Sequence, residues 1–406
     1  MAIKRVNRNP PVRKKRKFKK LSPHIPSADN ISPRVFILGA GFSKPAGIPL
    51  GRDLSSQVLQ EARLHGGTKF EADIEKFLDY DSARRGKVST IEDIILEDFL
   101  SYLDIEHFLF LRGSKMWSLE GNKTQLLVRN LIFKIIYEAQ AKISDKEWKL
   151  YDAFVRYLSP NDTIISFNYD TILESCFERN HIHFDLYNGP SLPDGRINLL
   201  KMHGSIDWFD ISYYNQSVNN FQSNEHYRLP DHPIFGVNYS DYFPKKLVDR
   251  NYDPTSELNR IYKIRKLDRY LKLCTDSSTA PMIISPSYHK LVWLNPLREF
   301  WYGLERFSAN GLVFIGFSFP AHDEYLSFPI VYLTTGYQKR LPISFGPLHS
   351  FPPVLFIDYR KGKEDIQSFK DSFCFVDWSK ADVFWNGFSL ESVKWLSKPR
   401  KPLPFS

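Results

Sequence analysis

The sequence predicts an α/β fold: a Rossmann-like parallel sheet with helices on both faces, plus a helical insertion. Three observations carry this. Short, mostly apolar runs recur (Val35–Leu38, Thr163–Phe167, Leu312–Ile315, Val354–Ile357), as in strands buried on both faces. Most end in glycine or a small polar residue, and the stretches between them carry helical spacing.

The body of the chain is separated from a basic tail. The 406 residues are 42% apolar, enough for one large domain, and carry a formal net charge of +9. Ten Lys and Arg and no acid lie in residues 1–20, leaving 45 basic against 46 acidic residues elsewhere, a net of −1. Residues 1–30 have too few apolar side chains to fold alone and read as a disordered tail ahead of a folded domain over 31–406. Such a tail contacts nucleic acid or an acidic partner face, or is a solvated arm. It lacks the apolar core of a secretory signal, and no stretch approaches the ~20 apolar residues of a membrane span. Cys176, Cys274 and Cys374 stand singly, giving neither a disulfide framework nor a zinc pattern. The chain reads as cytoplasmic.

The first strand, Val35–Leu38, stops at Gly39-Ala40-Gly41, where two glycines permit a tight turn and close approach to a ligand. Ser43 then stands where a helix is expected to begin, its free N–H groups and positive dipole end aimed at the turn as a phosphate cradle. A dinucleotide fingerprint needs a third glycine three residues after Gly41. Lys44 is there instead, and Gly47-Ile48-Pro49 breaks the helix early.

Arg52 to Leu64 reads as a helix, and about 68–160 as a helical insertion. Thr90-Ile91-Glu92-Asp93 is a capping box ahead of a stripe of Ile91, Ile94, Ile95, Phe99 and Leu103. Leu127, Leu131 and Ile135 form a second stripe. Ser144 caps a third helix bearing Trp148, Tyr151 and Phe154.

The strand Thr163–Phe167 ends in Asn168-Tyr169-Asp170, followed by a helix to Arg179. Taken singly, Asn168 and Asp170 read as helix caps. A short strand from Asn198 ends at His203-Gly204, and a lone histidine is more often structural than catalytic. About 209–280 is a polar, variable insertion with a charged helical stretch near Leu258 to Lys272. Met282–Ser285 reads as a strand, and Pro296 opens a helix with Leu297, Phe300, Trp301, Leu304 and Phe307 on one face. Leu312–Ile315 ends in Gly316-Phe317-Ser318. Val354–Ile357 ends in Asp358, whose carboxylate can accept from adenosine ribose hydroxyls. Phe373–Val376 reads as an edge strand and Asp382–Leu396 as a closing helix.

Gly-Ala-Gly-x-Ser with Gly-Ile-Pro (Gly39 to Pro49), Asn-x-Asp (Asn168 to Asp170), Lys-x-His-Gly-Ser-Ile-Asp-Trp (Lys201 to Trp208) and Gly-Phe-Ser-Phe-Pro with Asp323 resemble the NAD site of the sirtuin superfamily, in order. The chain resembles its sirtuin-like NAD-hydrolase branch, bacterial anti-phage effectors, over roughly 34–358 apart from two insertions. The resemblance implies NAD as substrate and no metal. It places Gly39, Ala40, Gly41, Phe42, Ser43, Gly47, Pro49, Arg52, Gly316, Ser318 and Asp323 at the dinucleotide, with Asn168, Asp170 and His203 catalytic. It further implies a homo-oligomer or a separately encoded partner, such as a HerA-type DNA-translocating ATPase or an Argonaute-like protein. Two departures stand out. The Phe of Gly-Ile-Pro-x-Phe-Arg is Gly51 here, ahead of Arg52, and the paired Cys-x-x-Cys module of the deacylases is missing after His203-Gly204.

These residue types suit cleavage of the nicotinamide–ribose bond, which passes through an oxocarbenium-like transition state. Nicotinamide is already cationic while bonded to the ribose and leaves neutral, so it needs no strong acid. Asn168 can orient water or ribose hydroxyls, Asp170 can engage the carboxamide or offset developing charge, and His203 can deprotonate a ribose hydroxyl, its ordinary pKa being ~6.5. The alternatives are an NAD-dependent protein deacylase and a non-catalytic nucleotide-sensing or scaffold subunit.

Overall fold

The computed structural model describes residues 34–109, 121–186, 195–223, 232–236, 242–247, 257–276, 278–284, 311–319, 324–339, 350–400 and 403–404. The basic tail, the helix expected from Pro296 and Asp323 lie outside them.

The central sheet contains β1 (Val35–Leu38), β2 (Thr163–Ser166), β3 (Phe184–Asp185), β4 (Ile197–Lys201), β5 (Leu312–Ile315), β6 (Val354–Ile357) and β7 (Ala381–Phe384). All seven run parallel in the order β7-β6-β5-β1-β2-β4-β3. The unbroken apolar run of β1 suits its central place, because alternate residues serve opposite cores. Phe36 and Leu38 pack into one apolar cluster and Val35 and Ile37 into the other. Arg34 ties the amino ends of β1 and β2 together, its guanidinium 2.6 Å from Asp162 Oδ2.

One face is covered by helices that precede β2: α2 (Gly51–Arg85), α3 (Leu96–Phe108), α4 (Lys123–Gln140) and α5 (Asp145–Tyr157), after a single turn, α1 (Ala40–Ser43). α6 (Ile172–Arg179) joins this layer after β2. On the other face lie α7 (Glu324–Gln338) and α8 (Gly362–Ser372), with Leu326, Ile330, Phe369 and Phe373 against the sheet. A final helix, α9 (Leu390–Leu396), returns to the first face through Val393 and Leu396. No described helix is long and apolar enough to cross a membrane.

The strands end level. Leu38 pairs with Ser166 and Ile315, Ser166 with Lys201, Ile315 with Ile357, and Ile357 with Phe384. The residues that follow each strand therefore gather along one edge.

Several local expectations give way to the packing. The Thr90–Asp93 box caps a single 3-10 turn (Ile91–Asp93), and α3 starts only at Leu96, which leaves Ile95 exposed. The helix from Arg52 runs on to Arg85, with Gly67 at φ 58° interrupting it. Residues 258–272 are not one helix. Ile261–Lys263 forms the middle strand of a small antiparallel sheet with Trp208–Asp210 and Lys245–Lys246, because Leu258 and Ile261 are drawn into the core. Residues 373–376 are a turn after α8 that buries Phe373 and Val376; the edge strand is β7, which overlaps the start of the stretch expected to be helical. Residues 282–284 make a single antiparallel bridge, Gly204 to Ile283, rather than a sheet strand. They are extended because Met282 O and Ile284 N bond the His203–Ser205 turn.

Candidate active site

The chain passes from β1 to β2 on one side and later returns to β1's other side as β5. The carboxyl ends of β1 and β5 thus flank a topological switch point, where open α/β sheets bind ligands. Two glycine turns meet there. Gly39 N–H donates to Ile315 O at 3.0 Å and Gly41 N–H to Gly316 O at 2.9 Å. A Cβ on Gly39 would lie 2.5 Å from Gly316 O, and one on Gly316 would lie 2.3 Å from Gly41 C. Gly316 also has φ +56°. The glycines let two backbone turns pack on each other, which sequence shows only as glycine content. Gly316→Ala is expected to cost about 2–5 kcal/mol from the left-handed backbone and the overpacking together. Thermal melting checks it; unchanged melting would show that the turns can separate freely.

The helix after the first turn starts at Ala40, not Ser43, because Gly39 already has the extended backbone of a cap. Ser43 ends α1, and a 3-10 turn (Lys44–Ala46) follows, closed by Gly47 at φ 77°. The N–H groups of Gly39, Gly41 and Phe42 are bonded to carbonyls, so the turn presents fewer open donors than the expected cradle.

Ser43 instead links the first two strands. Its Oγ donates to Asp170 Oδ2 at 2.6 Å and accepts from Asn168 Nδ2 at 2.9 Å, while Asn168 Nδ2 also donates to Gly39 O at 2.9 Å. Asp170 Oδ1 accepts from Ile172 N–H at 3.1 Å and so satisfies the first N–H of α6, one residue ahead of the cap position at Thr171. Asn168 does not cap; its side chain crosses to the glycine turn. With both amide hydrogens committed, its Oδ1 is the atom left to accept from water or a hydroxyl.

Lys201, the last residue of β4, holds the neighbouring loop. Its buried ammonium donates to Asp170 O (2.5 Å), Ser205 Oγ (2.6 Å) and Glu174 Oε1 (3.0 Å). Burial pushes the Glu174 carboxyl up, against the opposing charges of Lys201 and Lys263. The loops 168–170 and 203–205 thus share one anchor. The His203 ring lies edge-on to Phe167 at 5.2 Å between centroids and 6.0 Å from Tyr169. Its carbonyl accepts from Ile284 N–H at 3.0 Å, and Gly204, at φ +75°, makes the turn that permits this.

These pieces line one cavity of about 790 Å³. Of the residues expected at the dinucleotide, Gly39, Ala40, Gly41, Ser43, Pro49, Gly316, Ser318 and Asp358 line it together with Asn168, Asp170 and His203. Phe42 does not. It packs in the core, 5.3 Å from Tyr151, 5.2 Å from Phe154 and 4.6 Å from Phe388. Gly47 shapes the loop without lining the cavity, and Arg52 is exposed on α2. Asp358 is held by Arg360 Nε at 2.8 Å; burial raises its carboxyl and Arg360 opposes the rise.

Sequence reasoning missed Glu97, Tyr359, Arg360, Asn386 and Phe388, all of which line the cavity. Tyr359 and Arg360 follow Asp358 directly, so reading two residues past each strand end would have found them. Asn386 was hidden by the helical reading of β7. Glu97 has no sequence signal, because helix packing alone brings it there.

Residues 162–328 match the family described as SIR2-like domain. That span contains three of the four strand-end motifs; the Gly39–Ser43 turn precedes it. Solved structures similar to this chain include Sir2Tm bound to a propionylated peptide (14% identity, TM-score 0.27, covering 90% of this chain and 91% of that one). Another is a Sir2–p53 peptide–NAD+ complex (13% identity, TM-score 0.26, covering 90% and 91%). No curated protein matches.

Proposed function

We propose that this chain, which carries a SIR2-like domain over residues 162–328, hydrolyses NAD at the nicotinamide–ribose bond to give nicotinamide and ADP-ribose. The observation that carries this reading is the convergence of Asn168, Asp170 and His203 with two interlocked glycine turns on one cavity at the switch point. The charge layout supports it. Lys44, whose ammonium lies 5.5 Å from the Tyr359 ring, supplies positive charge on the β6 side, suited to a diphosphate, while Arg360 there is paired with Asp358 and Asp365. Asp358 on that side suits ribose hydroxyls. Asp170 and His203 lie on the β2–β4 side, where the reacting ribose would sit.

In the reaction, the C1′–N bond breaks and its electron pair neutralises the pyridinium nitrogen as positive charge builds on the ribose. The Asp170 carboxylate offsets that charge through space while remaining bonded to Ser43. His203 takes or holds the proton of a ribose hydroxyl. Asn168 Oδ1 accepts a hydrogen bond from the incoming water, whose oxygen bonds C1′; one of its hydrogens stays on the new hydroxyl and the other passes to solvent as a proton. The motif resemblance supports a role as an NAD-depleting effector in bacterial anti-phage defence, assembled as a homo-oligomer or with a HerA-type ATPase.

The test is quantification of nicotinamide and ADP-ribose from NAD by the full-length chain, alone and with its genomic neighbours and DNA. Release without any acylated peptide is the expected result. Release only with an acyl-lysine peptide would replace this reading with a deacylase, and binding without release in every condition would replace it with a sensing subunit. His203→Ala is expected to abolish release while melting near the wild-type temperature. A variant that loses only stability would mark His203 as a core residue.

A further inference from the structure

The helical block between β1 and β2 contributes a carboxyl to the cavity wall. Glu97, the second residue of α3, lines it beside Leu54 of α2 and Ile136 of α4. Its place is set by the backbone. Leu96 N–H donates to Ser55 Oγ at 3.1 Å, and Ser55 Oγ donates to Gly51 O at 3.0 Å, which ties the start of α3 to the cavity loop.

The adjacent acid has a different surrounding. Asp98 lies 3.6 Å from Arg84 and 3.8 Å from Arg85, whereas Glu97 has no ion-pair partner among the described residues. The other cavity carboxylates are engaged: Asp170 with Ser43 and Ile172, Asp358 with Arg360. Burial pushes the Glu97 carboxyl above the usual range, the charge of Asp98 adds to this, and its own backbone N–H opposes it. A half-buried carboxylate in a cavity wall shared with Leu54 and Ile136 is unfavourable on its own. A ligand that brings positive charge reverses the sign.

We propose that Glu97 recognises the cationic pyridinium ring of the oxidised dinucleotide and discriminates against the neutral ring of the reduced form. This rests on the dinucleotide reading above. It assigns the helical block a part in specificity: Glu97 reads the charge of one end of the ligand while Lys44 faces its anionic middle.

Glu97→Gln keeps the size of the side chain and removes its charge. Binding of NAD+ and NADH is measured by calorimetry on full-length chain carrying His203→Ala, which suppresses turnover, with and without Glu97→Gln. The chain with Glu97 is expected to prefer NAD+ by about tenfold or more, the order of one close charge pair in a partly screened site. Glu97→Gln is expected to weaken NAD+ binding toward that of NADH, leave NADH little changed, and melt at neutral pH at or above the parent temperature. That rise follows because an acid whose pKa is raised by folding destabilises the native state once pH exceeds it, and Gln carries no such penalty. An unchanged NAD+ to NADH ratio would overturn the proposal, and a lowered melting temperature with that ratio would make Glu97 a structural residue. Binding of neither dinucleotide by either protein would overturn the dinucleotide reading and this proposal with it.

Discussion

Lys201→Met is expected to lower stability by about 3–5 kcal/mol, because it leaves the buried Glu174 carboxylate without its hydrogen-bonded partner. Both side chains are nearly inaccessible, at 1% and 4% exposure, so water cannot replace the lost bond. The same substitution frees Asp170 O and Ser205 Oγ, and with them the loops that carry Asn168, Asp170 and His203. The double variant Lys201→Met/Glu174→Leu separates the two consequences. Replacing both charges by apolar groups is often neutral or stabilising, so much of the stability is expected to return. NAD cleavage is not, since neither loop regains its anchor. Denaturant unfolding and nicotinamide release measured on the single and double variants check this. Recovery of activity together with stability would mean that Lys201 contributes only to the core.

Asn168→Ala is expected to reduce NAD cleavage by about 10²-fold or more, the usual cost of losing a group that positions a reactant. It also removes two hydrogen bonds, to Gly39 O and Ser43 Oγ, so a stability loss of about 1–3 kcal/mol accompanies it. The two effects are distinguished by activity at a temperature well below the variant's melting point. Near-wild-type turnover there would remove Asn168 from the chemistry and leave it as a cross-link between β1 and β2. Dinucleotide binding measured on the same protein should survive, because Asp358, Lys44 and Arg360 are untouched.

The central strands were legible because burial on both faces forces an unbroken apolar run. Val35–Leu38, Leu312–Ile315 and Val354–Ile357 satisfy that rule without a polar interruption. β7 was not legible. Its burial is only partial, so Ala381–Phe384 carries no such run, and the helical spacing of the residues after it dominated the local pattern. The extended segment 282–284 was misplaced for a related reason. Its apolar residues are buried, but by the His203–Gly204 turn and not by a neighbouring strand. Ser144 caps α5 as its local pattern dictates, and Asn122, which the sequence reading passed over, caps α4 in the same way.

By itself the sequence determined β1, β2, β4, β5 and β6 of the sheet and which of their ends carry Asn168, Asp170, His203 and the glycines, because side-chain period and turn chemistry act over a few residues. The tertiary structure alone decided that Gly41 and Gly316 pack on each other and that Ser43 joins Asn168 to Asp170. It also turned Phe42 into the core and brought Glu97 to the cavity. Each of these depends on the register of β1 against β2 and β5 or on the seating of α3 against α2, contacts between residues far apart in the chain that no local pattern encodes.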